Sequence, residues 1–248
     1  MITIITCFFG RHEKVERILR YFLDQDYTHE VTLLLYNNAR YSQLLDKIQL
    51  PDNKHIILIN NWKDLKTGEE YKNVGVIFRD ALTFVPENTE IISFMDSDDI
   101  FLPNHISEGV SNYLLAKSNN YLAYKPYYSY FLYGNNKIEL AHNNMEPSIF
   151  VSYDYVKYMG FFPVAASYHQ KWLNPLQIEY RLYEPKEGKP TFIYDWSEGH
   201  NTHKISGLGD FEDNFRQHRT FETDHGDGVL TPAQHYEVEK YYKLINQL

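Results

Sequence analysis

Ile91-Ile92-Ser93-Phe94-Met95-Asp96-Ser97-Asp98-Asp99-Ile100-Phe101-Leu102-Pro103 is an apolar run that stops abruptly in three carboxylates. A short, unbroken apolar run fits a strand buried on both faces. Its acidic residues then fall at the carboxyl end, where open α/β sheets bind ligands. Asp96 and Asp98 are spaced to share one divalent cation, because Mg²⁺ and Mn²⁺ take carboxylate oxygens and keep positions for phosphate oxygens. That chemistry suits a nucleoside diphosphate. Asp and Ser are also ordinary turn formers, and Pro103 after an acidic turn can simply open a helix. A turn needs only one or two such residues, however, and three neighbouring carboxylates repel unless a cation or another partner compensates them.

Working outward toward the N-terminus, strand and helix patterns alternate. Ile2 to Phe9 reads as a buried strand, and Val15, Ile18, Leu19, Phe22 and Leu23 then fall at helical spacing in a helix from about Arg11. Further strands are expected at Val31 to Tyr36 and Ile56 to Ile59, and a helix over Val74 to Phe84 leads into the Ile91 strand. Pro103 opens a helix that fades near Lys117. Such a βαβ series predicts an α/β fold: a mostly parallel, Rossmann-like central sheet with helices on both faces.

After Asn120 the pattern changes. Gly134-Asn135-Asn136 between Tyr128 to Tyr133 and Lys137 to Leu140 reads as a hairpin, and Glu187-Gly188-Lys189-Pro190 separates two strand-like runs, Leu176 to Tyr183 and Thr191 to Asp195. The aromatic stretch from Tyr121 to Tyr133 fits half-buried strands or a sugar-facing surface. Glu198 to Gly228, rich in Gly, His, Asp and Asn, predicts a long functional loop, and Thr231-Pro232-Ala233-Gln234 a capped start to a terminal helix.

Composition narrows the function classes. A chain of 248 residues, 43% hydrophobic and 23% charged, is sized for one enzyme-like domain, 1–248. The net charge of −9 argues against a surface built for broad phosphate-backbone contact. No apolar run approaches the roughly 20 residues needed to cross a bilayer, and the N-terminus lacks the pattern of a signal peptide, so a cytoplasmic location is expected. The lone Cys7 has apolar neighbours and reads as a buried structural thiol.

These parts together resemble the GT-A-fold glycosyltransferases, in particular the family-2-like group that uses nucleotide-diphosphate sugars. Ile2 to Phe9 resembles the family's opening strand, with Thr6 near its tip, and Leu33-Leu34-Leu35-Tyr36-Asn37-Asn38 resembles the second strand, ending at a base-contacting site. Lys72-Asn73-Val74-Gly75-Val76-Ile77-Phe78-Arg79-Asp80-Ala81 resembles the N-x-G-x-x-x-x-R-x-x-A helix, and Asp96 follows Arg79 at the family's interval. The resemblance implies a donor half, 1–120, and an acceptor half, 121–248. Asn73 and Arg79 then belong to diphosphate binding, the helix amides favouring anions and Arg79 offering charge to phosphate or to the acidic cluster. Asn37 and Asn38 offer the mixed donors and acceptors that a pyrimidine edge needs, although Asn pairs also make ordinary strand-end turns.

The second half departs from the family pattern. Inverting members carry an acidic base after a Gly-Phe segment, whereas Met159-Gly160-Phe161-Phe162-Pro163 leads here to Ala165 through Trp172 without a carboxylate. His169 is the titratable substitute there, or else a structural histidine beside Trp172. Some GT-A enzymes complete the metal site with a late histidine. His200 and His203 stand in that position, with Lys204 beside them to assist a leaving diphosphate.

The expectation is therefore a transferase of the hexosyltransferase kind, dependent on Mn²⁺ or Mg²⁺ and taking a nucleotide sugar, by resemblance a uridine diphosphate sugar. Asp96 would meet ribose or metal, Asp98 the metal, and Asp99 the sugar or the surrounding hydrogen bonds. The acceptor hydroxyl can belong to a glycan, a lipid-linked sugar, a protein or a modified DNA base. A sugar-nucleotide nucleotidyltransferase shares the fold and metal chemistry, but the chain lacks a Gly-rich basic loop for a triphosphate. A non-catalytic carbohydrate-binding protein would explain the tyrosines but not the acidic cluster.

Overall fold

Unbroken apolar strands must be covered on both faces, and the chain does this by sending helices to alternate sides of one sheet. The computed structural model describes residues 1–196, apart from 11, 43–44, 46–48, 134–137, 144–145, 165–166 and 189. The loop expected from Glu198 and the terminal helix expected from Thr231 lie outside the described residues.

In chain order the first half runs β1 (Ile2–Phe8), α1 (His12–Leu23), β2 (Val31–Asn37), β3 (Lys54–Asn60), α2 (Val74–Ala81), β4 (Ile91–Phe94), β5 (Ile100–Phe101) and α3 (His105–Ser118). It continues with β6 (Ala123–Tyr124), β7 (Tyr128–Tyr133), β8 (Ile138–His142), β9 (Phe150–Ser152), α4 (Tyr153–Met159), α5 (Gln170–Ile178), β10 (Leu182–Tyr183) and β11 (Phe192–Trp196). The main sheet has seven strands in the order β10-β6-β9-β4-β1-β2-β3, and a four-stranded sheet runs β5-β11-β7-β8. β4, β1, β2 and β3 are parallel neighbours, and β9 enters antiparallel between β4 and β6.

Successive strand residues point to opposite faces, so β1 and β2 feed two cores. Ile4, Leu33 and Leu35 pack with Val15, Ile18 and Phe22 of α1 and with Val110 of α3. Ile5, Leu34 and Tyr36 pack on the other face with Ile77 and Phe78 of α2 and with Trp172 and Leu176 of α5. Each such side chain, fully buried, contributes roughly 1.5–3 kcal/mol. β3 is only partly buried, as befits an edge strand.

Two expectations need correction. Leu176 to Tyr183 is not a strand: Leu176 to Ile178 end α5, and only Leu182–Tyr183 pairs, with β6. Trp172, Leu173 and Leu176 sit at helical spacing and bury one stripe against the second core, so the governing period there is 3.6 rather than 2. The expected helix over Val74 to Phe84 is α-helical only to Ala81, and Leu82–Phe84 tightens into a 3₁₀ turn. The aromatic stretch serves packing at several points: Tyr121 and Tyr124 both lie against Tyr183 of β10.

Gly75 in the first turn of α2 marks a close backbone approach. A Cβ there would lie 1.8 Å from the Phe162 carbonyl oxygen, and the Gly75 amide donates to Val164 O at 3.1 Å. This contact brings the segment after Gly160 onto the sheet's carboxyl edge. Gly75→Ala is accordingly expected to cost about 2 kcal/mol or more of stability, read as a lower thermal midpoint. An unchanged midpoint would show that the 162–164 backbone is not fixed against the helix.

Candidate functional site

β4 delivers the acidic turn, and β1 holds it in place. Beyond the last β4 residue the Met95 amide donates to Ile5 O at 3.1 Å, and the buried Thr6 hydroxyl donates to Met95 O at 2.7 Å. The peptide before Asp96 is thus fastened twice to the neighbouring strand. The turn closes with the Asp99 amide directed to Asp96 O at 3.4 Å, and the chain then enters β5, which pairs antiparallel with β11.

One carboxylate oxygen from each of Asp96, Asp98 and Asp99 lies within 4.8 Å of the others. Asp96 and Asp98 are half-buried, whereas Asp99 is buried. Burial, and then the charges of Asp98 and Asp96, push the Asp99 carboxyl well above the usual carboxylate range, and the Asp195 amide, donating to its Oδ1 at 3.1 Å, only partly opposes this. Burial thus favours the protonated form of Asp99, a hydrogen-bonded floor beneath the more open Asp96 and Asp98. Burial and the neighbouring Asp96 likewise raise the Cys7 thiol, which fits an inert sulfur.

Asp96 and Asp98 border a cleft of about 200 Å³ between the carboxyl ends of β1 and β4 and the helix α2. Phe9, Asn38, Ile77 and Tyr168 contribute to its walls. A second recess of about 300 Å³, with Trp62, Tyr71 and Arg40 in its lining, shares Phe9 and Asn38 with the first. The two form a path from the acidic turn toward the β3 edge.

The sequence-selected residues divide between cleft and support. Asn38 faces both recesses, but Asn37 is fully buried: its Nδ2 donates to Tyr41 O and Asn60 Oδ1, both at 2.8 Å, and its Oδ1 accepts from the Ala39 amide. Asn73 is the N-cap of α2, accepting from the Val76 amide at 3.1 Å. With the Gly75 amide given to Val164 O, two of the amides expected to favour an anion are already engaged. Arg79 faces Asp80 through Nε at 2.7 Å and Asp64 through Nη2 at 2.6 Å. Asp80 also accepts from the Tyr71 hydroxyl and the Leu65 amide, both at 2.8 Å. Arg79 thereby anchors the loop before α2, which lines the second recess. His169 is 8% exposed and packs edge-on against Tyr168 and Trp172, and the cleft wall itself is formed by Tyr168, stacked on Phe78. His200, His203 and Lys204 lie outside the described residues.

Two contributors escape the motif reading, Arg17 and Asp195. Arg17 reaches from α1 to the carbonyls of Asp98 and Asp99, and Asp195 ends β11 beside it. The sequence signal for Arg17 is a cation one turn before the fully buried Tyr21, on the face of α1 that packs inward. The signal for Asp195 is a carboxylate that closes the strand Phe192–Trp196.

No family model matches the sequence, and no curated protein matches it. Solved structures do match the fold. Residues 1–349 of S. aureus TarS in complex with UDP-GlcNAc align with a TM-score of 0.58 at 12% identity, covering 94% of this chain and 69% of that one. The mannosyltransferase PcManGT from Pyrobaculum calidifontis, in complex with GDP-Man and Mn²⁺, aligns with a TM-score of 0.55 at 11% identity, covering 82% and 59%. Against a longer TarS structure the alignment takes in only 36% of that chain. The shared property is the α/β fold of GT-A type. No helix among the described residues is long and apolar enough to cross a membrane.

The raised Asp99 carboxyl has a measurable consequence. The folded chain keeps a proton that the unfolded chain releases near pH 4, so this group makes the metal-free protein less stable as pH rises above that value. Asp99→Asn retains the Oδ1 that accepts from Asp195 and removes the ionisable group. In EDTA it should raise the thermal midpoint relative to wild type at about pH 8, with the gap shrinking toward about pH 4. A gap that does not change with pH would contradict an Asp99 carboxyl raised by burial.

Proposed function

We propose that the chain is a metal-dependent glycosyltransferase that moves a sugar from a nucleotide-diphosphate donor, a uridine diphosphate sugar, to an acceptor hydroxyl. The observation that carries this reading is the cleft at the carboxyl ends of β1 and β4 with Asp96 and Asp98 at its border. The likeness in fold to proteins solved with UDP-GlcNAc and with GDP-Man and Mn²⁺ supports it.

The all-oxygen donor set suits a hard divalent cation, Mn²⁺ or Mg²⁺, and Asp96 and Asp98 would hold it. Bound there, the cation supplies charge neutralisation for a departing nucleoside diphosphate. Asp99, buried and fixed by the Asp195 amide, keeps the turn in shape. The nucleoside is accommodated along the path past Phe9 and Asn38, and Arg79 contributes indirectly by holding the Asp64 to Tyr71 loop against α2. Tyr168, which lines the cleft, would face the acceptor in this reading. His169 behind it is the candidate to take the acceptor's proton, which requires Tyr168 to move when the acceptor binds. His200, His203 and Lys204 complete the metal and diphosphate contacts in this reading. The acceptor is a hydroxyl on a glycan, a lipid-linked sugar, a protein or a modified DNA base.

Release of nucleoside diphosphate from a panel of nucleotide sugars, with and without Mn²⁺, tests the proposal. Asp98→Asn preserves shape and removes one charged ligand. It should reduce metal-dependent release about 10²–10³-fold, with a thermal midpoint in EDTA no lower than that of wild type, since one repelling charge is gone. Full activity in that variant, or wild-type release of pyrophosphate from a nucleoside triphosphate instead, would overturn the assignment.

A further inference from the structure

The acidic turn is gripped from beneath by a side chain that holds its backbone. Arg17, in the middle of α1, directs Nη2 to Asp98 O at 2.6 Å and to Asp99 O at 3.3 Å. The same nitrogen lies 3.5 Å from Asp195 Oδ2, with side-chain exposures of only 16% for Arg17 and 3% for Asp195. Asp195 in turn donates its amide to Asp99 Oδ1 at 3.1 Å. α1, the turn and β11 are therefore joined in one closed set of polar contacts. The guanidinium carbon also stands 5.9 Å from the centre of the Tyr21 ring, which limits its sideways movement.

We propose that Arg17 is a positioning residue that sets the cation affinity of the Asp96–Asp98 pair, an inference that rests on the metal-dependent reading above. Arg17 holds two successive carbonyls of the turn, those of Asp98 and Asp99, while Asp195 answers its charge. Its positive charge does not titrate away, and its planar fork fixes direction as well as distance. The repulsion among neighbouring carboxylates, which favours an opened turn before any cation arrives, is thereby opposed by a permanent charge in the wall. Groups that orient metal ligands in this way typically change affinity 10–100-fold when removed.

The test is Mn²⁺ titration in the presence of UDP, followed by electron paramagnetic resonance of the free ion, at a temperature where thermal scans show each protein folded. Arg17→Met keeps the stem and loses the charge, and should weaken Mn²⁺ binding about tenfold or more. Arg17→Lys keeps the charge without the fork and should fall between. Metal-dependent UDP release by Arg17→Met should recover as Mn²⁺ is raised, which a merely less stable fold would not do. A wild-type Mn²⁺ constant in Arg17→Met overturns the proposal, and if that variant does not fold, a wild-type constant in Arg17→Lys does so. Wild-type protein that binds no Mn²⁺ with UDP would instead overturn the functional reading, and this inference with it.

Discussion

Three carboxylates at one turn, with oxygens within 4.8 Å of one another, form the constraint around which this structure is arranged. Two unit charges about 4 Å apart repel by roughly 4 kcal/mol at the effective dielectric of a protein surface. That is a large share of a typical folding free energy. The chain reduces the problem in two ways. Asp99 is buried, which favours its protonated form, and is held by the Asp195 amide, and Arg17 places a fixed positive charge on the carbonyls of Asp98 and Asp99. What remains at the cleft is one pair, Asp96 and Asp98, half-buried and suited to a hard cation.

The fold's layers make that arrangement rigid. β4 lies between β1 and β9 in the main sheet, and Thr6 of β1 fastens the Met95 carbonyl at the point where the strand becomes the turn. The second sheet supplies the opposite restraint, because β5 leaves the turn to pair with β11, which ends in Asp195 and Trp196. A movement of the acidic turn would therefore disturb both sheets and α1 together. The far wall is set by packing: Gly75 admits the 162–164 backbone, and Tyr168 stacks on Phe78 with ring centres 4.8 Å apart.

Where a single period governed the chain, the sequence was readable. β1, α1, β2, α2 and β4 announce themselves as buried runs or amphipathic helices, α3 by the proline that opens it, and the acidic turn is legible because a strand rarely ends in so many carboxylates by chance. Legibility failed where side-chain type and period conflicted. α5 carries Trp172, Ile178 and Pro175, residues common in strands and turns, and only tertiary burial of Trp172, Leu173 and Leu176 decides for helix. Function was similarly blurred at Asn37 and Asn38. Adjacent in sequence and identical in type, they separate into a buried clasp and a cleft residue because β2 ends at Asn37 and Asn38 already stands in the segment beyond it. Arg79 illustrates a further limit. Its position in a motif says nothing of Asp64, which the loop before α2 brings within 2.6 Å. Arg17 acts on the turn across the fold from α1, a long-range contact that no local pattern encodes.

The account turns on whether the Asp96–Asp98 pair holds a cation together with a nucleoside diphosphate. Anomalous diffraction at the manganese edge, from crystals containing Mn²⁺ and UDP, reads this directly. The account predicts one anomalous peak bonded to carboxylate oxygens of Asp96 or Asp98 and to the diphosphate, with Arg17 still seated on the Asp98 and Asp99 carbonyls. UDP bound in the cleft with no anomalous peak at the acidic turn, or a peak elsewhere in the fold, would contradict it.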